Sequence, residues 1–334
     1  INRGVVRNEL GDKQGAIDDY NLAIKFNPND AYAYINRGVV RNHLGDKQGA
    51  IDDYNLAIKF NPNDALAYIN RGNVRDDLGD KQGAIDDYNL AIKFNPNLAL
   101  AYNNRGLVRY ELGDKQGAID DYNQAIKFNP NDAQAYYNRG GVRYELGDKQ
   151  GAIDDFNLAI KFNPNLANAY YNRGIVRYEL GDKQGAIDDY NQAIKINPNY
   201  AQAYSNRGVV YHQQGNYIAA ISEYNQAVAK DANSLTAVNN IGLIKYEQGD
   251  KETAIKQWQK AMKIDNKSAE PILALAVALY TKGEQQQAYQ LAETALKLDK
   301  NFADTNFLKK NLWGDKIIAD AQKLLSTLPR KLQQ

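Results

Sequence analysis

The sequence predicts an all-α solenoid built from 34-residue helix–turn–helix units and closed by a C-terminal helical segment. Three observations carry this. The string LGDKQGAIDDYNLAIKFNPN begins at Leu10, Leu44 and Leu78, returns with small changes at Leu112, Leu146 and Leu180, and persists in weaker form from Gln214, Gln248 and Lys282. Each unit holds two apolar-periodic segments of about 12 to 14 residues. A Gly-Asp pair separates the two segments and Asn-Pro-Asn closes the unit.

The elements follow in order within a unit. The first segment, helix A, ends at the glycine of the turn, and the second, helix B, starts at the aspartate after it. Helix B stops at Asn-Pro, because proline cannot continue a helix and pushes the preceding residue toward extended angles. Helix B of the second unit shows the stripe: Ala50, Ile51, Tyr54, Ala57 and Ile58 share one face, while Asp52, Asp53, Asn55 and Lys59 fall mostly on the other. Two helices cannot bury such a stripe alone, so neighbouring units must stack. Nine copies are expected: a partial one at 1–30, then 31–64, 65–98, 99–132, 133–166, 167–200, 201–234, 235–268 and 269–302. Residues 303–334 follow as a helical cap and tail. Helical periodicity there runs from Ala303 to about Leu328, broken at Trp313-Gly314, and reads as a cover for the last apolar face, with Pro329 and its polar neighbours as a frayed end.

Composition removes several functions. The 41 basic and 40 acidic residues leave a net charge of +1, so nucleic-acid binding lacks its electrostatic term. No apolar run approaches the roughly 18 to 20 residues of a membrane span. With no cysteine there is neither a disulfide framework nor a thiolate metal site. The two histidines, His43 and His212, lie five repeats apart, the Asp-Asp pairs point about 100° apart on their helices, and no glycine run forms a phosphate loop. The chain is read as non-enzymatic, with no cofactor and no metal. It starts at Ile1, at the fifth position of a repeat, without an initiator methionine, and so reads as a piece of a longer protein. A cytoplasmic location is the expectation.

The 34-residue period, with Gly38, Ala50, Tyr54, Ala57 and Pro62 at fixed places and Tyr34 in a position often held by tryptophan, resembles the tetratricopeptide repeat. The NRG and LGD wording is similar to cyanobacterial members. Arg37 and Arg41 depart from the usual leucine and tyrosine, and Lys47 from a common aromatic. The resemblance implies a right-handed superhelix whose concave wall is made of A helices, with the second, fifth, sixth, ninth, twelfth and thirteenth positions facing the groove.

At the sixth position stand Asn2, Asn36, Asn70, Asn104, Asn138, Asn172, Asn206 and Asn240. A primary amide both donates to and accepts from a peptide group. Repeats about 10 Å apart match about three residues of extended chain. The column resembles the asparagine ladder of the O-linked N-acetylglucosamine transferase repeat arm. It also shares a position with the carboxylate clamp of chaperone-binding members, although the clamp's lysines are missing from the fifth position (Ile35, Ile69, Asn103, Tyr137, Tyr171). Alternatively, each asparagine bonds to the adjacent helix and sets repeat spacing. Two hydrogen bonds per rung yield roughly 1 to 3 kcal/mol, against roughly 3 to 6 kcal/mol for ordering three residues, so side-chain pockets must add the rest. Tyr110, Tyr144, Tyr178 and Tyr246, with His212 in the same column, and Tyr137 and Tyr171 are the candidates; intramolecular stacking is the other reading. The acids Glu9, Asp77, Glu111, Glu145, Glu179 and Glu247 at the thirteenth position favour a lysine-bearing partner.

Two arginine columns read as structural, with anion binding as the alternative. Arg3, Arg37, Arg71, Arg105, Arg139, Arg173 and Arg207 track Asp19, Asp53, Asp87, Asp121, Asp155, Asp189 and Glu223, and the column ends at Ile241 where the acid becomes Gln257. The second column, Arg7 to Arg177, ends at Tyr211 as Asp188 gives way to Ser222, which pairs it with the first acid of each Asp-Asp. The expected function is a scaffold that binds a peptide segment of a partner protein in the groove. Head-to-tail self-association and service as the substrate-selecting arm of an enzyme are the alternatives.

Overall fold

A computed structural model describes residues 1–328; the frayed end expected from Pro329 onward lies outside the described residues. The described residues are helical throughout, in consecutive A–B pairs, and fall into two compact units, Ile1–Pro164 and the residues from Asn165 onward.

The first unit holds α1 (Asn2–Glu9), α2 (Lys13–Phe26), α3 (Ala31–His43), α4 (Lys47–Phe60), α5 (Ala65–Asp77), α6 (Lys81–Phe94), α7 (Ala99–Glu111), α8 (Lys115–Phe128), α9 (Ala133–Glu145) and α10 (Lys149–Phe162). The second holds α11 (Ala167–Glu179), α12 (Lys183–Ile196), α13 (Ala201–Gln213), α14 (Tyr217–Lys230), α15 (Leu235–Glu247), α16 (Lys251–Ile264), α17 (Ala269–Lys282) and α18 (Gln285–Leu298). A 3-10 turn at Lys300–Ala303, α19 (Thr305–Lys310) and α20 (Asp315–Ser326) follow. No described helix is long and apolar enough to cross a membrane.

Local chemistry sets the helix ends. Asp46 caps α4 by accepting from Gly49 N at 2.9 Å. A Cβ on Gly49 would sit 2.1 Å from the other carboxylate oxygen, Oδ2, so a side chain there must shift the cap, and the equivalent caps at Ala219 and Thr253 are longer, at 3.2 Å. The turn before it passes through Gly45 at φ +86°, left-handed backbone that suits glycine. At the start of helix A, Asp64 accepts from Leu66 N and Ala67 N. Leu98, Leu166 and Tyr200 replace that aspartate in later repeats and make no side-chain cap.

Within a pair, helix A lies close on helix B because it carries a glycine at the crossing. A Cβ on Gly38 would be 2.7 Å from Tyr54 Cε1, and Gly72 meets Tyr88 in the same way. Ala50, Tyr54 and Ala57 are fully or nearly fully buried, as the helix B stripe predicts. Tyr34 stacks on Phe60 at 5.7 Å and donates its hydroxyl to Pro28 O of the preceding repeat at 3.1 Å. A helices of successive repeats also touch one another, α3 with α5, α5 with α7 and α7 with α9 in the first unit, and α11 with α13, α13 with α15 and α15 with α17 in the second. Each unit therefore has a wall of A helices.

The arginine columns are internal. Arg37 grips Asp53 with two N–H groups, Nε to Oδ2 at 2.9 Å and Nη2 to Oδ1 at 2.5 Å, and reaches back to Asn21 Oδ1 at 2.6 Å. The second column corrects the sequence reading. Arg41 donates to the same carboxylate, Oδ2 of Asp53, at 3.0 Å. Asp52 instead accepts from Gln48 at 3.1 Å, because it points about 100° away from Asp53 around the helix.

Candidate functional site

On the wall of the first unit the asparagines are not equivalent. Asn36 donates to Tyr32 O of its own helix at 2.8 Å. The side chain of Asn70 is half-buried and makes no hydrogen bond within the described residues. Asn104 donates to Asn73 Oδ1 at 2.9 Å and accepts from Asn103 Nδ2 at 3.3 Å. Asn138 donates to Asn103 Oδ1 at 3.2 Å and accepts from Gln134 at 2.8 Å. Asn104 and Asn138 thus follow the alternative reading, bonding to the neighbouring helix. In the second unit Asn206 donates to the Tyr171 hydroxyl at 3.1 Å and Asn240 to the Tyr224 hydroxyl at 3.1 Å, so the same holds there. Asn172 also has a partner within the chain. A uniform ladder of open rungs is not what the structure presents.

The aromatics are likewise engaged. Tyr110 donates to Glu145, and this hydrogen bond pushes the phenol up to about 12. Tyr137 packs on Phe156 at 6.0 Å, and Tyr144 has its own partner in the chain. Tyr171 lies against Tyr190 at 6.0 Å and Tyr200 at 4.8 Å; burial raises its phenol. Tyr178, raised by burial, bonds to Gln213.

Three second-unit candidates depart from the expected open wall. His212 is buried between Tyr217 and Tyr224, its Nδ1 without a hydrogen bond, and burial pushes the imidazole down to about 4. Asn240 and Tyr246 are buried as well. Tyr246 is covered by α20, which packs on α15 and α17 and so lies across the A-helix wall, while the 3-10 turn packs against α18. The cap therefore does more than cover the last apolar end. Its Trp313 Nε1 donates to Glu270 at 3.0 Å. Burial pushes Glu270 up to about 7, against hydrogen bonds from Trp313 and Asn239.

The acidic edge is corrected too. Lys47 lies 3.4 Å from Asp77, Lys81 meets Glu111, and Lys115 lies 2.9 Å from Glu145. These acids are neutralised by lysines of the preceding repeat and do not wait for a basic partner.

Sequence reasoning missed the second position of helix A. Tyr32 is 62% exposed, Leu66 51% and Leu100 49%, each one turn before an asparagine on the same helix face, and Leu107 adds to the same wall. The signal was available, because this position faces the groove in the resembled family and varies between copies. Among the described residues no group of three His, Asp or Glu could hold a metal ion.

A tetratricopeptide repeat model matches residues 31–64, and a second model of this repeat matches 77–113, 108–147, 140–181, 176–215, 210–249 and 242–283. No curated protein matches the sequence significantly. Among solved structures the chain is similar to a tetratricopeptide repeat protein from Parabacteroides merdae, at 18% identity over 79% of this chain and 99% of that one, TM-score 0.57. It is also similar to Pseudomonas aeruginosa pilF, at 17% identity over 66% and 97%, TM-score 0.57. MamA is 30% identical over 48% of this chain and 94% of that one, TM-score 0.46. With repeat models matching well over half of its residues, the chain belongs to the tetratricopeptide repeat family.

Proposed function

We propose that the chain is a non-catalytic interaction scaffold and that the A-helix wall of its first unit binds a peptide segment of a partner protein. The observation that carries this is the row of exposed Tyr32, Leu66 and Leu100, each beside an asparagine on the same face. Covering a half-exposed leucine contributes about 1 kcal/mol, and the free amide of Asn70 can pair with a peptide group. Such a row supplies the apolar area that hydrogen bonds alone lack against the entropy of ordering a segment.

The test is selection of binding peptides from a displayed random library on the native chain, followed by titration of the selected peptides. Leu66→Glu with Leu100→Glu is expected to weaken binding at least tenfold, while Lys25→Glu on helix B leaves it unchanged. Equal affinity for all three chains would remove the wall from consideration.

A further inference from the structure

In the first unit one recurring bridge joins neighbouring repeats. The lysine that opens helix B pairs with the thirteenth-position acid of the next repeat, as Lys115 does with Glu145, and Tyr110 adds its hydroxyl to the same carboxylate. Three substitutions dismantle the two bridges that would join the last three repeats. His212 and Tyr217 stand where Tyr110 and Lys115 would, so the preceding repeat offers Glu247 no cation. Thr281 stands where Glu145 would. Lys251 Nζ therefore donates to a hydroxyl, Thr281 Oγ1, at 3.0 Å, with the Tyr246 hydroxyl 3.3 Å from the same atom.

The repeats alone thus leave an acid without a cation and a lysine–phenol pair without an acid. The C-terminal helix α20 completes both. Lys316 N and Ile317 N donate to the Glu247 carboxylate at 3.3 and 2.9 Å, so a side chain of the wall caps the docked helix. Five residues into α20, Asp320 accepts from the Tyr246 hydroxyl at 2.9 Å. Burial raises that carboxyl, but Lys323, Tyr246 and the charge of Lys251 outweigh it and hold it below its ordinary value. Ile317, Ala321 and Leu324 are fully buried in the core that α17 shares. The connection from α19 passes through Leu312 at φ +67°, the one non-glycine residue with positive φ among those described, so the docked position holds backbone strain at its hinge.

We propose that the A-helix face of the last two repeats is a docking site for an amphipathic helix of a partner protein, which places its N-terminus on Glu247 and an acid on Tyr246 and Lys251. α20 fills this site until the partner displaces it. A helix fits because its first turn presents free N–H groups to one carboxylate and its second turn brings an acid to the cation. The site lies in the second unit and is tested apart from the wall of Leu66 and Leu100.

A labelled peptide with the sequence of residues 311–328 is titrated into the whole chain. Asp320→Asn loosens the resident helix and leaves the receiving face intact, and it is expected to raise peptide affinity at least tenfold over the native chain. Adding Thr281→Glu restores a carboxylate to Tyr246 and Lys251 and is expected to lose at least tenfold of that gain. Hydrogen exchange follows folding: residues 315–326 exchange faster in Asp320→Asn while α13 to α18 do not. Equal peptide affinity in all three chains overturns the proposal, as does exchange that rises across α15 to α18 together with α20. A native chain whose mass doubles with concentration through exchanged α20 also overturns it, by assigning the face to a second copy.

Discussion

Arg71 and Asp87 meet through two parallel N–H···O bonds, Nε to Oδ2 at 2.9 Å and Nη2 to Oδ1 at 2.6 Å, with the Asp87 carboxylate only 1% exposed. Arg75 donates to the same carboxylate at 3.0 Å. Removing Asp87 strands two guanidinium groups. Asp87→Ala is expected to destabilise the repeats around it by about 3 to 5 kcal/mol, the cost of breaking a buried pair. Asp86→Ala, at an exposed residue bonded to Gln82, is expected to change stability by less than about 0.5 kcal/mol. Urea unfolding with site-resolved hydrogen exchange separates the two, because repeat arrays need not unfold in one step.

Gly38→Ala brings a methyl carbon to 2.7 Å from Tyr54 Cε1, and Tyr54 is buried with no room to withdraw. Overpacking of this kind costs about 1 to 3 kcal/mol. The expected outcome is a lower urea midpoint with unchanged helical circular dichroism in water.

Lys81 bridges Asp76 at 2.5 Å and Glu111 of the next repeat, with the lysine and Glu111 both partly exposed. Exposed pairs contribute little, so Lys81→Ala is expected to cost less than about 1 kcal/mol. The difference should shrink in about 1 M salt, where the Debye length is about 3 Å. A loss independent of salt would assign Lys81 a packing role.

Burial holds His212 down to about 4, below its ordinary value near 6.5. Between those values the unfolded chain binds the extra proton, so the stability that neutral His212 provides is present above about 6.5 and is lost as pH falls toward 4. His212→Phe is expected to flatten that acid limb. The check is hydrogen exchange of α13 and α14 between pH 4 and 7, after correction for intrinsic rates.

Glu270 gives the opposite slope. Its carboxyl is raised to about 7, so the folded chain binds the extra proton between about 4.5 and 7, and stability falls as pH rises through that window. The Trp313 contact is expected to loosen correspondingly, and Glu270→Gln to abolish the dependence. Fluorescence of Trp313, with Trp258→Phe to remove the second indole, reads this directly; an unchanged slope in Glu270→Gln would exclude Glu270 as its source.

Much of the fold was legible because its determinants are local. Asp46 and Gly49 lie three residues apart and define a helix start by themselves. Gly45 ends helix A through its own backbone angle. The wall was less legible. Asn104 and Asn70 occupy one column, each followed by Arg-Gly, yet the side chain of one is spent on Asn73 and that of the other is open. The difference lies in a neighbour about 30 residues away, where Asn73 replaces the valine of the preceding repeat.

The linear order of residues was enough to specify the period, the helix pairs, their caps and the internal character of the arginines, since each depends on spacings inside one repeat. Tertiary structure alone decided that Asp53 serves two arginines, that Asp77, Glu111 and Glu145 pair with lysines of the repeat before, and that Glu247 and Tyr246 lie under α20. Those outcomes rest on distances between side chains from 12 to 74 residues apart in sequence. Such distances are set by how helices stack and where the chain returns, and no periodicity encodes the return of a helix that has left the repeat.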